Sequence, residues 1–361
     1  MHIAFVATDY AWGRGKNVPS GIEVYTKTVA EALVRRGHRV TVLTSDHWGM
    51  SRGHHECEGV NVEVLQFGKN IRSWSEEIHQ WLLYGDVDVV ESHNASSPLI
   101  VTQVAGNTPT VVRLASGVLD SGTTGRLEEV CRSEFRAEVF TVSEAEIVIA
   151  ASDGVKARAE RYGAKDVRLL PLGLPPEAFK IHQKPAQSEY DVCVMVSRFG
   201  DRRKGGDLVM TALEGMRDKR VVVIGEMEDD EADIWREAWP EVTFENKPLD
   251  SVILRGFFMA SEAVFVPSRS ESFGLALLEP LAVGTHVLAF DEVTQVRHGW
   301  PLCPVGSHRK VDPKQIATML SYLEDAAKDH LVDFAKKFHI DRFIEDYEKV
   351  YMEAACRKGM R

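Results

Sequence analysis

The sequence predicts an α/β protein made of two successive doubly wound sheets, and three observations predict it. Short apolar segments of strand length alternate with helix-period segments along the chain. The alternation stops at a Pro-rich polar stretch near the middle and then starts afresh. The length of 361 residues suits two domains at roughly 100–200 residues each.

Residues 3–8 read as a strand buried on both faces. A loop rich in Gly, Pro and Ser follows over 13–21, then a helix over 22–36 with Val24, Thr28, Val29, Ala32 and Leu33 available for one face. Gly37 is a stop signal, and 39–44 is the next strand. Strand, loop, helix and strand in that order make a βαβ unit and therefore a parallel sheet. Further strands are expected at 60–66, 87–91, 110–114, 139–141 and 168–170. Helices are expected at 76–83, 98–104, 127–137, 144–151 and 154–162. A dinucleotide-binding fold is the obvious rival, but its GxGxxG fingerprint is missing, since Val18 follows Gly13 and Gly15 where the third glycine belongs. Ligands of doubly wound sheets gather at the carboxyl ends of strands. Three loops leave such ends, at 13–21, 93–95 and 115–117. His93 directly follows an apolar strand and is a candidate ligand contact; a histidine that only satisfies loop backbone is the alternative. His54, His55 and His79 have no metal-like spacing, and Trp74 and Trp81 are expected to pack under a helix.

Residues 171–176 and 181–189 form the Pro-rich polar stretch, an expected interdomain hinge. A second βαβ series opens with a strand at 191–196. That strand runs into a Gly-rich basic turn holding Arg198, Arg202, Arg203, Lys204, Gly205 and Gly206, then a helix at 208–216. Basic side chains in a strand-to-helix turn suit phosphate, Arg as a bidentate fork and Lys as a point charge; a solvated basic loop is the alternative. Strands follow at 221–225, 242–244, 263–266 and 285–289, with a helix at 250–259. The acidic run from Glu226 to Asp233 fits the head of a helix, where acids favour the dipole, better than a metal site. The tail is helical over 313–327, 330–337 and 340–356. Phe343, Tyr347, Val350 and Tyr351 share a face of the last helix, which must pack on something.

Composition narrows the function classes. A formal net charge of −11 argues against general binding to nucleic acid or anionic lipid. Cys57, Cys131, Cys193, Cys303 and Cys356 are scattered, with no CxxC, which favours reduced thiols in a cytoplasmic protein. The first residues lack the basic lead and cleavage site of a signal peptide. No apolar run approaches the ~20 residues of a membrane span.

The most informative stretch is Ser-Arg-Ser-Glu-Ser-Phe-Gly-Leu-Ala-Leu-Leu-Glu-Pro at 268–280. A strand that ends in a small-residue turn and feeds a helix aims backbone N–H groups and a positive helix end at one point, which binds anions. Glu271 and Glu279 would stand roughly 12 Å apart if both were helical. Glycosidase carboxyl pairs sit closer, about 5–9.5 Å apart. The spacing suits two acceptors that hold opposite ends of a long, hydroxyl-rich, phosphate-containing ligand.

With these residues in place, the chain resembles the GT-B glycosyltransferases of the family 4 type. Glu271-Ser272-Phe273-Gly274 with Glu279 matches the family's E-x7-E signature. Arg198 and Lys204-Gly205 match its paired basic positions, Gly37-His38-Arg39-Val40-Thr41-Val42 its first-domain GHxVxV segment, and Pro267-Ser268 the lead into the signature. The resemblance implies two Rossmann-like doubly wound domains facing a central cleft. Their expected extents are 1–175 on the acceptor side and 176–339 on the donor side, with a helix at 340–361 returning to the first domain. It implies a metal-independent, retaining hexosyltransferase that needs no cofactor and moves a sugar from a nucleotide diphosphate sugar (UDP- or GDP-linked) to an acceptor hydroxyl. The acceptor class is open between a saccharide, a lipid-linked sugar and a small metabolite, and peripheral membrane contact stays open with it. By position, Glu271 would meet the transferred sugar and Glu279 the ribose. Amides near Phe273, Gly274 and Leu275, with Arg198 and Lys204, would hold the diphosphate. Gly21 would line the donor site, and His93 joins Glu271, Arg198 and Lys204 as a catalytic candidate.

Three departures qualify the match. Ser20-Gly21 stands where the family often has two glycines. Ala115 takes a position where it often has a histidine. Residues 291–296 lack the glycine pair that often follows the last strand. A GT-B isomerase or phosphorylase that uses the same phosphate cradle stays as an alternative, and Ala115 with the missing glycine pair keeps a degenerate non-catalytic sugar-nucleotide binder as another.

Overall fold

The computed structural model describes residues 1–7, 21–46, 51–66, 71–93, 105–114, 128–180, 188–247, 249–323 and 327–358. The chain divides into two compact units, Met1–Leu174 with Ile340–Arg361, and Pro175–His339.

In the first unit, β1 (His2–Val6) is buried at every position because it lies mid-sheet, and after the hydrogen-bonded His2 it is apolar, as suits a strand covered on both faces. It is followed by α1 (Gly21–Arg35), β2 (Arg39–Ser45), β3 (Gly53–Cys57), β4 (Val60–Leu65), α2 (Ile71–Tyr84), β5 (Val89–His93), β6 (Thr110–Leu114), α3 (Glu128–Glu144), β7 (Ile147–Ala150), α4 (Asp153–Arg161) and β8 (Val167–Leu169). Among the described residues the sheet order is β3-β4-β2-β1-β5-β6-β7-β8, parallel except for the β3–β4 pair. β3 escapes a reading by periodicity because Gly-His-His-Glu-Cys has no apolar alternation. It is an exposed edge strand, where polar and charged residues guard against further pairing. In α1 the buried face is turned toward Tyr25 and Thr26, beside Thr28, Val29, Ala32 and Leu33, while Val24 is half-exposed.

Two expected elements are exchanged. Residues 139–141, read as a strand, lie inside α3, and half of 144–151, read as a helix, is β7. Val139, Thr141 and Val142 are strand formers by propensity. Tertiary packing overrides that preference: Glu138, Thr141, Val142 and Ala145 are buried at helical spacing. Ile147 pairs instead with Val111 of β6 in a parallel ladder. The helix expected at 98–104, the loop residues 13–20, 94–95 and 115–117, and hinge residues 181–187 lie outside the described residues.

The second unit comprises β9 (Tyr190–Arg198), α5 (Val209–Leu213), β10 (Val221–Glu226), α6 (Asp229–Ala238), β11 (Thr243–Glu245), α7 (Ser251–Met259), β12 (Ser261–Val266), α8 (Leu275–Ala282), β13 (His286–Ala289), α9 (Thr294–Arg297), β14 (Cys303–Pro304), α10 (Pro313–Leu323) and α11 (Asp329–Ala335). Its described strands are all parallel, in the order β11-β10-β9-β12-β13-β14. That is the 3-2-1-4-5-6 order of the Rossmann fold. Each expected strand of this half is present, and β14 adds a two-residue edge. The acids Asp229, Asp230 and Glu231 form the first turn of α6, where they complement the helix dipole. Among the described residues no group of three potential metal ligands occurs, and no helix is long and apolar enough to cross a membrane.

The last helix, α12 (Ile344–Lys358), belongs to the first unit. Its Tyr347, Val350, Tyr351 and Ala354 enter the core formed by Phe5, Val29 and other buried residues. At the centre of this packing sits a fully buried carboxylate, Glu91. Glu91 Oε1 accepts from Tyr25 Oη at 3.0 Å and faces His93 Nε2 at 2.6 Å, and Oε2 accepts from Tyr351 Oη at 2.6 Å. Arg113, also buried, approaches Glu91 to 3.7 Å. Its guanidinium lies 4.2 Å from the Tyr25 ring centre and 5.0 Å from that of Tyr347. Burial opposes ionisation of Glu91, but His93, Arg113 and Tyr351 outweigh it and hold the pKa below the ordinary carboxylate value.

Removing one member of a buried ion pair strands the other charge and costs about 3–5 kcal/mol. Glu91→Ala is therefore expected to lower unfolding stability by that amount in a urea titration. The Glu91→Ala/Arg113→Met double variant should lose less than the two single variants summed. Additive losses would remove the coupling.

Candidate active site

In the second unit the chain leaves β9 toward β10 on one side, while β12 lies on the other. This is the point where strand order reverses, and the crevice outside the carboxyl ends of β9 and β12 is where an open α/β sheet binds its ligand. Two turns meet there. In the turn after β9, Asp201 accepts the Arg203 backbone N–H at 3.0 Å and grips the Arg203 side chain at 2.6 Å. The turn ends at Gly205 with φ +73°, and a Cβ on this residue would lie 2.0 Å from the Pro267 carbonyl oxygen. Only glycine permits both the left-handed backbone and this approach. The turn after β12 is sewn to the first by Arg269. Its N–H donates to Arg203 O at 2.8 Å, and its guanidinium donates to Arg202 O at 2.6 Å and to both Asp207 oxygens at 2.6 and 2.7 Å.

This seam brings Lys204 and Glu271 together, with Lys204 Nζ 2.8 Å from Glu271 Oε1. The same oxygen accepts from Ser268 Oγ at 2.7 Å. Glu271 lies in the turn, ahead of the helix, because Gly274 (φ +92°) is the N-cap and α8 begins at Leu275. The spacing that assumed both glutamates helical therefore does not apply. Leu277 N and Leu278 N donate back to Gly274 O at 3.0 and 3.1 Å. The amides before them are the ones a helix cannot satisfy from within, and they mark its positive end. Phe273 is buried and meets Trp300 and Phe338 edge-on at 5.8 and 5.7 Å. Its carbonyl accepts from Gln295 Nε2.

The remaining candidates are placed differently. Arg198 is exposed at the end of β9, and its Nε donates to Glu226 Oε2 at 3.1 Å, so the second cation is held by β10 and not by Glu271. Glu279, on α8, is only partly exposed, and its carboxylate makes no hydrogen bond or ion pair among the described residues. Burial pushes its pKa up to about 7, with nearby Arg255 pulling the other way. His93 and Gly21 lie in the first unit. Gly21 opens α1. His93 is turned into the core, with Nε2 on Glu91 and Nδ1 2.9 Å from Thr26 Oγ1. Both ring nitrogens are thus engaged by side chains of the first unit, and neither of them by loop backbone. Asp207, Glu226, Arg269 and Gln295 enter the site without a role foreseen from the sequence. For Arg269 and Asp207 a signal exists, because an arginine beside the signature needs a carboxylate. For Gln295 the sequence offers only the missing glycine pair.

The family model for Glycosyltransferase Family 4 matches residues 19–178, and that for Glycosyl transferases group 1 matches residues 190–325. Among curated proteins, a phosphatidyl-myo-inositol mannosyltransferase of Mycolicibacterium smegmatis is 25% identical over 298 residues, 76% of this chain and 73% of that protein. A D-inositol 3-phosphate glycosyltransferase of Arthrobacter sp. is 24% identical over 319 residues, covering 76% of this chain and 75% of that protein. Among solved structures, a sucrose-phosphate synthase from Thermosynechococcus elongatus superposes with a TM-score of 0.80 at 18% identity, over 98% of both chains.

Two outcomes follow from this geometry. Gly205→Ala forces a Cβ against Pro267 O in a left-handed conformation, and is expected to cost at least about 2 kcal/mol in denaturant unfolding; an unchanged midpoint would mean the seam is slack. Glu279 titrates near 7 when folded, against 4.5 ordinarily. A group whose folded pKa is raised is neutral in both states at low pH and penalises the fold once ionised. With its partial exposure discounted, that penalty is about 1–3 kcal/mol above pH 7. Glu279→Gln should therefore raise the unfolding midpoint at pH 8 and leave it unchanged at pH 4.

Proposed function

Because the chain is a retaining GT-B glycosyltransferase of the family 4 type, using a nucleotide-sugar donor, we propose that its donor site is the crevice at β9 and β12. The single observation that carries this reading is the 2.8 Å contact between Lys204 and Glu271, which places a cation and a carboxylate together at a helix N-terminus. The donor diphosphate lies against the amides of Phe273, Gly274 and Leu275. Lys204 and Arg198 turn to it from Glu271 and Glu226. Glu271 then accepts from hydroxyls of the transferred sugar, and Glu279 from those of the ribose. An unpartnered, partly buried carboxylate suits that second task, since ligand hydroxyls supply the hydrogen bonds it lacks.

As the bond from sugar to phosphate breaks, negative charge grows on the leaving diphosphate. Cations and amides already aimed at that position stabilise it without reorganising, and such preorganised charge is commonly what lowers a barrier most. The acceptor attacks on the face the diphosphate leaves, and a leaving-phosphate oxygen takes the acceptor's proton. Charge neutralisation thus rests on side chains and amides, and we propose that no divalent metal is required. We place the protein in the cytoplasm, a reading supported by the free cysteines Cys57, Cys193, Cys303 and Cys356.

Donor hydrolysis and transfer, assayed with UDP- and GDP-sugars against saccharide, cyclitol and cyclitol-phosphate acceptors, tests the assignment. The cyclitols are included because the two curated relatives are named for inositol-containing substrates. Lys204→Ala is expected to lower kcat by about 10²–10³-fold, Glu271→Ala to lower it comparably, and EDTA to leave the rate unchanged. Full activity in both variants would place the site elsewhere.

A further inference from the structure

The stretch after β13, singled out for its missing glycine pair, closes directly on the donor turn. Gln295 is buried, 4% exposed, and its Nε2 donates to Phe273 O. A carbonyl can only accept, so the amide nitrogen must face it. Gln295 Oε1 has no hydrogen-bond partner among the described residues, so this buried side chain is held by one donated bond. Trp300 belongs to the same segment, its N–H donating to Gln295 O at 3.2 Å, and its ring meets Phe273 edge-on. The Phe273–Gly274 peptide is therefore gripped twice, by its carbonyl and by the preceding side chain. In a trans peptide C=O and N–H point in opposite directions. A carbonyl drawn toward Gln295 sends the Gly274 N–H the other way. No room is left for slippage, because a Cβ on Gly274 would lie 3.3 Å from Gln295 Cδ and 3.0 Å from Leu277 Cδ1.

We propose that Gln295 is the positioning residue of the diphosphate cradle: by holding the Phe273 carbonyl it aims the Gly274 amide, and with it the first turn of α8, at the donor phosphates. The proposal rests on the donor-site reading above and adds a residue that touches no substrate. It gives the stretch without the glycine pair a defined task, since the amide of Gln295 replaces backbone shape with a side-chain hydrogen bond.

Calorimetry on the full chain with uridine, guanosine and adenosine diphosphates, and with the matching nucleosides, tests it. Gln295→Met keeps the length and deletes the donor. Gln295→Glu keeps the shape but can present a carboxylate oxygen to the carbonyl. For whichever diphosphate the unchanged protein binds, Gln295→Met is expected to bind about tenfold more weakly, and Gln295→Glu more weakly still. Both should bind the matching nucleoside within about twofold of the unchanged protein, a split that loss of general packing does not produce. Equal losses for nucleoside and diphosphate, or no loss for either, overturn the proposal. If both variants lose the folded circular-dichroism spectrum, Gln295 is a packing residue and the proposal falls. An unchanged protein that binds no diphosphate overturns the donor reading itself and this inference with it, an outcome distinct from failure in the variants alone.

Discussion

A close approach of backbone to backbone, Gly205 against the Pro267 carbonyl, determines what the second unit can do. Two strand-to-helix turns from different βαβ repeats are brought within contact there, and no residue with a Cβ fits between them. Arg269 fastens the seam with four hydrogen bonds to the neighbouring turn and to Asp207. Lys204 and Glu271 meet as a consequence, since each sits one or a few residues from the contact. The chemistry of the site is thus an outcome of packing at the switch point of the sheet.

The charges in this crevice are partnered before any donor arrives. Lys204 is on Glu271 and Arg198 is on Glu226. On the donor-site reading proposed above, binding exchanges these carboxylate partners for phosphate oxygens. Glu279 is the exception. Its partly exposed carboxylate makes no hydrogen bond or ion pair among the described residues.

Much of this architecture was legible in the sequence, for identifiable reasons. Strand segments buried on both faces, such as Ile3–Val6 of β1 and Ala263–Val266 of β12, are written as unbroken apolar runs, and the turns at Arg198–Gly206 and Ser268–Gly274 carry their charges and glycines openly. The exchange of α3 and β7 was not legible, because Val139, Thr141 and Val142 look like a strand until their burial at helical spacing is known. His93 shows another limit. Its place at a strand end was clear, but which face it served was decided by Glu91 two residues earlier on the same side, and a buried glutamate needs donors. Gln295 was invisible because its partner is a backbone carbonyl, and backbone acceptors carry no sequence signal.

The carboxylate of Glu91 also bears on the order in which the molecule forms. Its donors come from α1, β5 and, after the whole second unit has been made, α12. A chain emerging from the ribosome therefore carries Glu91 and Arg113 with their aromatic partners incomplete while residues 175–339 are synthesised. Domains usually complete in the order they are made. Here the later unit has all of its described strands and helices in hand first, and the earlier one is finished by the arrival of Tyr347 and Tyr351. Until then the Glu91 carboxylate lacks the hydrogen bond from Tyr351.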